Sequence, residues 1–334
     1  MALLLLTGPF LVPEFRDPRN ARFDLPGAAL SLLAVLGLVH AAKRAVEHGV
    51  EPHGMAALVL GAAFLVLFVV RQRRVAYPLI DVSLFARPAF GSAVGGNAAV
   101  SFAAAGMGLL TFTFLQSVHG LSPLTAALWA LPTFATTALG ATAGGLLAPR
   151  IRPAPLMATG LAVGAAGFVL VGLVDPDTPL PLFIGAYGLI SMGAGVVGTL
   201  ANSLVLATAP PERAGAAAGV SETSAEFGAA LSIAALGTVA TGVYRSAMAD
   251  VGGPAGETVS GAVATAPHLP EAEAAVLLET AFAAYTQGLN TAALTGATVL
   301  GILAVTVLVA LRRLPAGTGE ASEGSETEGA VDRT

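Results

Sequence analysis

Residues 214–243 read AGAAAGVSETSAEFGAALSIAALGTVATGV, and this stretch decides the fold. It holds small and apolar side chains without a proline, and its only charges are Glu222 and Glu226. A bilayer core about 30 Å thick needs roughly 20 mostly apolar residues of helix to cross it. The stretch is long enough, and in lipid its backbone polar groups must be satisfied within the segment, which makes it a helix. Seven further segments share this character: about 25–43, 53–71, 88–117, 123–148, 154–174, 180–208 and 286–311. Each ends at charge, proline or a turn signal, and strand-like alternation is missing, which excludes an outer-membrane barrel. The expected fold class is an all-α membrane protein, a polytopic transmembrane helix bundle of about eight spans.

Composition agrees. The 334 residues are 55% hydrophobic and only 11% charged, whereas soluble domains carry about 25% charge. A soluble globule of this size would lack the charge to cover its surface. A net charge of −5 offers no basic field for nucleic acid. The chain has no cysteine, so disulfides, thiol chemistry and cysteine-based zinc sites are excluded. No phosphate-binding G-x-x-x-x-G-K-[ST] loop is present, so transport would be driven by a gradient or a partner subunit. No cofactor or metal is expected.

Lysine and arginine set the orientation. With the segment before the first span inside, the cytoplasmic side carries Arg16, Arg19, Arg22, Arg71, Arg73, Arg74, Arg87, Arg150, Arg152, Arg213, Arg312, Arg313 and Arg333. The outer side carries only Lys43, Arg44 and Arg245. That asymmetry predicts a multi-pass protein of the cell inner (plasma) membrane with a cytoplasmic C-terminus. The five histidines, His40, His48, His53, His119 and His268, fall at or beyond outer helix ends without metal-ligand spacing, and read as solvated loop residues.

Residues 244–285 form the one long outer connection, with a short amphipathic stretch near Glu271 to Ala284. Residues 313–334 are rich in Gly, Ser, Thr and Glu and read as a disordered cytoplasmic tail. Met1 to Val12 are apolar but cover only ~18 Å as helix. They lack a basic n-region and a cleavage site, so they read as the end of a preceding helix. Four glycine pairs spaced by four, Gly91/Gly95, Gly140/Gly144, Gly160/Gly164 and Gly215/Gly219, predict close helix packing.

Nearly every charge lies at a span end, and Glu222 and Glu226 are the exception. Four residues apart, they share one helix face. They lie about 12 and 18 Å in from Ala214 at 1.5 Å per residue, which puts them around the middle of the core. Ionisable residues at such depth are costly, by about 2.5 kcal/mol or more, and mark ion or substrate paths. None of the eight spans offers a basic residue to pair with them inside the membrane. Both are therefore candidate proton-coupling residues, and Glu222 also a candidate substrate ligand. Asn97, Gln116, Trp129, Tyr187 and Asn202 are candidate cavity-lining, substrate-binding residues. The plainer reading for Asn and Gln is an interhelical hydrogen bond, and for Tyr and Trp near a boundary it is interface anchoring.

Three stretches carry a family resemblance. Pro210-Pro-Glu-Arg-Ala-Gly-Ala-Ala-Ala-Gly-Val-Ser-Glu-Thr-Ser-Ala-Glu-Phe-Gly-Ala-Ala resembles the penultimate helix of fourteen-helix drug:proton antiporters of the major facilitator superfamily. Phe114-Leu-Gln-Ser-Val-His-Gly-Leu-Ser-Pro-Leu-Thr-Ala-Ala-Leu is similar to a helix junction in their C-terminal half. Gly8-Pro-Phe-Leu-Val-Pro-Glu-Phe-Arg is similar to the end of their sixth helix and the connection after it.

The resemblance implies residues 1–24 as the remnant of a preceding helix and its cytoplasmic connection. It implies 25–71 as two extra inserted helices, and 72–312 as the six-helix C-terminal bundle. The antiporter signature of the fifth helix and the acidic residue of the first have no counterpart here. The basic glycine-rich motif survives only faintly in Gly144-Gly-Leu-Leu-Ala-Pro-Arg-Ile-Arg. The implied function is proton-coupled efflux of lipophilic or cationic small molecules, driven by a proton gradient. Its partners would be the bilayer, protons, those compounds and the missing N-terminal six-helix half. Two other readings are a non-transporting fragment that needs a separate N-terminal half, and a membrane-embedded lipid-modifying enzyme. The enzyme would have to use the scattered outer acids Asp175, Asp177 and Asp250, which form no paired motif.

Overall fold

The computed structural model describes residues 24–48, 51–75, 87–208 and 214–310. The expectations for residues 1–23 and 311–334 lie outside the described residues. The described residues are helical, with no strand among them.

Two helices form an antiparallel hairpin, α1 (Leu25–His48) and α2 (Pro52–Gln72). They cross where glycine lets backbones touch: a Cβ added at Gly37 would sit 2.8 Å from the Gly61 Cα. Asp24, ahead of α1, closes one end. Its carboxylate accepts from Arg71 Nη2 at 2.7 Å and Nε at 3.0 Å, from the Gly27 amide at 3.0 Å and from Gln72 Nε2 at 3.3 Å. An Arg44–Glu51 ion pair at 3.0 Å closes the other end. The hairpin packs on the rest of the chain through α1 against α7.

Six long helices follow: α3 (Pro88–Thr113), α4 (Pro123–Leu147), α5 (Pro153–Val171), α6 (Leu180–Thr208), α7 (Ala214–Ala247) and α10 (Glu271–Ala310). Proline opens α2, α3, α4 and α5, where a missing N–H costs nothing. Ser122 caps α4 by accepting from the Thr125 amide at 3.2 Å. Helix α3 packs on α6 and α7, α6 on α4 and α5, and α10 on α5 and α7. Phe90, Phe114, Phe168, Phe183, Met107 and Met157 are fully buried between them. Arg87 Nη1 donates to the Thr208 carbonyl at 3.2 Å and ties the start of α3 to the end of α6. This is the arginine-rich end; the opposite one is the far end.

Two glycine pairs pack as expected. Gly140 and Gly144 lie against the Met192 and Val196 backbone of α6, and Gly160 and Gly164 against α6 and Leu300. The other two behave differently: a Cβ at Gly95, Gly215 or Gly219 would meet no described residue within 4 Å. That face of α7 is open.

All eight expected segments form helices, and the long connection shifts. Among the described residues, seven helices are long and apolar enough to cross a membrane. Ahead of them, α1 carries the apolar run Leu25–Ala41, roughly 25 Å at 1.5 Å per residue. The connection expected at 244–285 shrinks to 248–270, since α7 runs on to Ala247 and α10 begins at Glu271. The charges that suggested a watery loop sit instead at helix ends, where they are favourable. Glu271 and Glu273 lie in the first turn of α10 and Arg245 in the last of α7, each complementing the helix dipole. The remaining connection is a folded cap of two short helices, α8 (Pro254–Glu257) and α9 (Val259–Thr265), and the turn Ala266–His268. The Tyr244 hydroxyl donates to the Ala255 carbonyl at 2.7 Å, and Met248, Val259 and Ala262 are buried beneath it.

Candidate functional site: the carboxylate face of α7

Helix α7 has two faces. One is a seam of small and hydroxyl residues laid on α3. Ser221 accepts from Asn97 Nδ2, and Ser224 donates to the Val94 carbonyl at 3.2 Å. Gly228 sits on the Ala98 carbonyl with no room for a Cβ. Ser232 donates to the Phe102 carbonyl and accepts from the Gly106 amide at 3.2 Å. These positions cluster on one side of the helix at about 100° per residue. Because the seam is buried and its hydroxyls are satisfied, it fixes the rotation of α7.

Rotated by roughly 100–140° from Ser221, by the same count, are Glu222 and Glu226. Both are exposed, and neither makes an ion pair or hydrogen bond with another described residue. The open glycines Gly215 and Gly219 share this side of the helix. Helix α7 is 34 residues long, so its midpoint lies near residue 230. Glu226 is then roughly 7 Å and Glu222 roughly 13 Å to the arginine-rich side of that midpoint. The carboxylates occupy the arginine-rich half of the helix rather than spanning its middle.

The other candidates fall into separate levels. Asn97 is nine residues into α3 and Asn202 six residues before the end of α6, so both lie at about the depth of Glu222. Asn97 reaches that level through its bond to Ser221, the interhelical role, while Asn202 is exposed. Tyr187 is nearer the far end, its hydroxyl 3.4 Å from where a Cβ of Gly108 would stand. Gln116 is exposed in the turn that ends α3, 19 residues from Asn97 and so roughly 28 Å along the helix. Trp129, half-buried against the core, lies two turns into α4 near that same end. The structure brings Asn97, Asn202, Glu222 and Glu226 to one half of the bundle, and places Gln116 and Trp129 at the other.

Two structural features were missed from sequence. The Ser221, Ser224, Gly228, Ser232 seam was legible as small residues at helical spacing. The other is His119, which is not a solvated loop residue. Its ring packs edge-on to Phe114, with centroids 4.9 Å apart, and its Nε2 is buried without a hydrogen-bond partner among the described residues. No spacing in the sequence signals that.

Residues 6–233 match the sequence profile of the Major Facilitator Superfamily. The chain is 37% identical over 317 residues to the multidrug efflux pump LfrA of Mycolicibacterium smegmatis, covering 93% of this chain and 63% of that protein. It is 33% identical over 268 residues to the puromycin resistance protein pur8 of Streptomyces alboniger, covering 79% and 53%. It is 28% identical over 305 residues to the methyl viologen resistance protein SmvA of Salmonella typhimurium, covering 88% and 61%. The chain thus spans less than two thirds of the length of these relatives. In fold it is similar to a bacterial homologue of the human lysosomal transporter Spinster, with a TM-score of 0.54 at 19% identity, covering 86% of this chain and 65% of that one. A membrane-spanning helical bundle, the sequence profile and these efflux and resistance relatives agree: the chain belongs to the Major Facilitator Superfamily, a family of transporters rather than enzymes.

Proposed function

We propose that this chain forms the C-terminal portion of a fourteen-helix drug:proton antiporter, and that Glu226 and Glu222 couple protons to efflux of lipophilic or cationic compounds. One observation carries the reading: two carboxylates one turn apart on an exposed face of a membrane helix, unpaired among the described residues. Two acids so close repel when both are ionised. A proton or a bound cation relieves that repulsion, and the two compete for the same oxygens. Glu226, the deeper residue, carries the proton, and Glu222 assists the cation. Asn202 and Asn97 lie at the same level, whereas Tyr187, Gln116 and Trp129 line the route toward the far end.

The open face of α7, with its two glycines, suits close approach by a helix from an N-terminal six-helix half. The greater length of the relatives supports the same partner. Transport by alternating access needs two bundles around a shared site, so the 334-residue chain alone does not transport. The arginine-rich end faces the cytoplasm of the cell whose inner membrane it spans. Cysteines introduced at Ser83 and Ser260 label from opposite sides; labelling from one side sinks that orientation.

The decisive experiment measures proton-driven efflux by the complete carrier in everted vesicles. Glu226→Gln abolishes efflux while neutral-ligand binding and folding persist, because Gln keeps the size and most hydrogen bonds. Glu222→Gln weakens cationic substrates selectively. Full drug resistance in the double Gln variant at normal expression refutes the assignment.

A further inference from the structure

At the far end α3 does not finish as an α-helix. Residues Phe114–Val118 form a π-helical turn, in which the His119 amide donates to the Phe114 carbonyl five residues back at 3.2 Å. Such wide turns are rare and are found frequently at functional sites. This one is clamped on its inner side, with Phe114 and Leu115 fully buried and the Phe114 ring 4.7 Å from that of Phe183 on α6. The His119 ring closes the turn over Phe114, and its Nε2 is buried with no hydrogen-bond partner among the described residues. A buried polar atom without a partner costs about 1–3 kcal/mol, so its retention calls for a use.

The surroundings say what that use is. Four elements pack on the turn: α4, α9, α10 and, through Phe183, α6. Helices α4 and α9 carry no titratable side chain. Helix α10 offers Tyr285, whose hydroxyl is already committed to the Leu110 carbonyl at 2.9 Å, and Glu271, Glu273 and Glu279 in its first turns. The loop before α6 carries Asp175 and Asp177. Burial lowers the His119 pKa from its ordinary 6.5, and the negative charge of Asp177 opposes that shift. The neutral ring therefore suits the closed turn. The imidazolium, which cannot stay buried unpaired, has one carboxylate placed to receive it.

We propose that His119 is a second proton-binding site, separate from the carboxylate face, whose protonation releases the ring from Phe114 toward Asp177 and opens the far end of α3. It lies 22 residues beyond Asn97, roughly 33 Å along the helix. The sign follows from the lowered pKa. The closed turn is favoured at and above the ordinary histidine value and is lost as pH falls below it.

The test needs no transport. The chain lacks cysteine, so Leu115→Cys places a single thiol beneath the turn, and Ser260→Cys, exposed on α9 at the same end, serves as reference. Each variant of the full 334-residue chain, in phospholipid vesicles, is reacted with a charged methanethiosulfonate. The ratio of the two rates cancels thiol ionisation. Between about pH 7.5 and pH 5.0 the ratio rises by about tenfold. Adding His119→Gln makes it flat, and adding Asp177→Asn moves the rise to lower pH. A flat ratio in the parent, or an equal rise with His119→Gln, overturns the proposal. Should the His119→Gln chain not be recovered folded, the Asp177→Asn variant decides, and an unmoved midpoint overturns the proposal. These rates do not depend on Glu222 or Glu226, so failure here and failure of the antiporter reading are told apart.

Discussion

Asp24 and the pair Glu222/Glu226 are all acids of a membrane bundle, and the chain treats them in opposite ways. The Asp24 side chain is 2% exposed, yet four donors converge on it, two of them from one guanidinium. Glu222 and Glu226 are exposed and receive no bond from any described residue. A carboxylate held in a cage has one protonation state and one position, so its energy goes into holding two helices together. A carboxylate left uncaged can change its partner. The comparison separates a structural acid from the pair proposed above to couple protons, without reference to depth or sequence context.

The comparison breaks first on stability, where the largest difference is expected. Asp24→Asn leaves Arg71 and Gln72 facing a neutral amide, and breaking a buried pair from one side is far worse than never having built it. The thermal midpoint of the chain in detergent should fall clearly, and Asp24→Asn with Arg71→Gln should recover part of the loss. Glu226→Gln should leave the midpoint unchanged or raise it, since a charge without a partner is removed. If Glu226→Gln costs as much as Asp24→Asn, the two regions are alike and the distinction fails.

A smaller, titratable difference follows. The hydrogen bonds from Arg71 hold the Asp24 carboxyl below its ordinary value of 3.8. Its stabilisation is therefore complete above the unfolded value and is lost as pH falls through the lowered folded value. The gap in midpoint between the parent chain and Asp24→Asn should be constant at neutral pH and close only below about pH 4. A gap that narrows between pH 5 and 7 would show that the cage does not act through this carboxylate.

How far this was legible in the sequence differs between the two regions. The long helices followed from apolar runs punctuated by Pro and charge, because lipid leaves the backbone no alternative to internal pairing, although α10 begins at Glu271, well before the expected 286. The Glu222/Glu226 face was legible for the same reason, as charge is rare inside a span. Asp24 was not, since at the edge of a span it looks like any interfacial acid. Its partners are 47 and 48 residues away, and only the hairpin crossing at Gly37 and Gly61 brings them to it. Gln116 and Trp129 were grouped with the carboxylates because composition alone carries no height, and helix direction puts them at the far end. The acids at Glu271 and Glu273 suggested a loop because the same residues favour water and helix N-termini.

The smallest effect concerns the other end of the same hairpin, and it tests whether any ion pair there would serve. Arg44 and Glu51 are 3.0 Å apart, but their side chains are 29% and 25% exposed, and no other described residue bonds to either carboxylate oxygen of Glu51. Pairs of this kind contribute about 0–1 kcal/mol. Glu51 also precedes α2, where a negative charge faces the helix N-terminus and adds about 0.3–1 kcal/mol. Its side chain makes no cap hydrogen bond, so Gln in its place loses only charge. Glu51→Gln should lower stability by about 2 kcal/mol at most, and raising salt from about 0.05 to 0.5 M should shrink the loss, because exposed charges are screened. The loss from Asp24→Asn should shrink less under the same change, since the Asp24 side chain is only 2% exposed, although Arg71 is 36% exposed. A salt-independent loss at Glu51 as large as that at Asp24 would mean the hairpin is locked from both ends. In that event the caged acid is one of two equal clamps, and burial with several donors is not what distinguishes it.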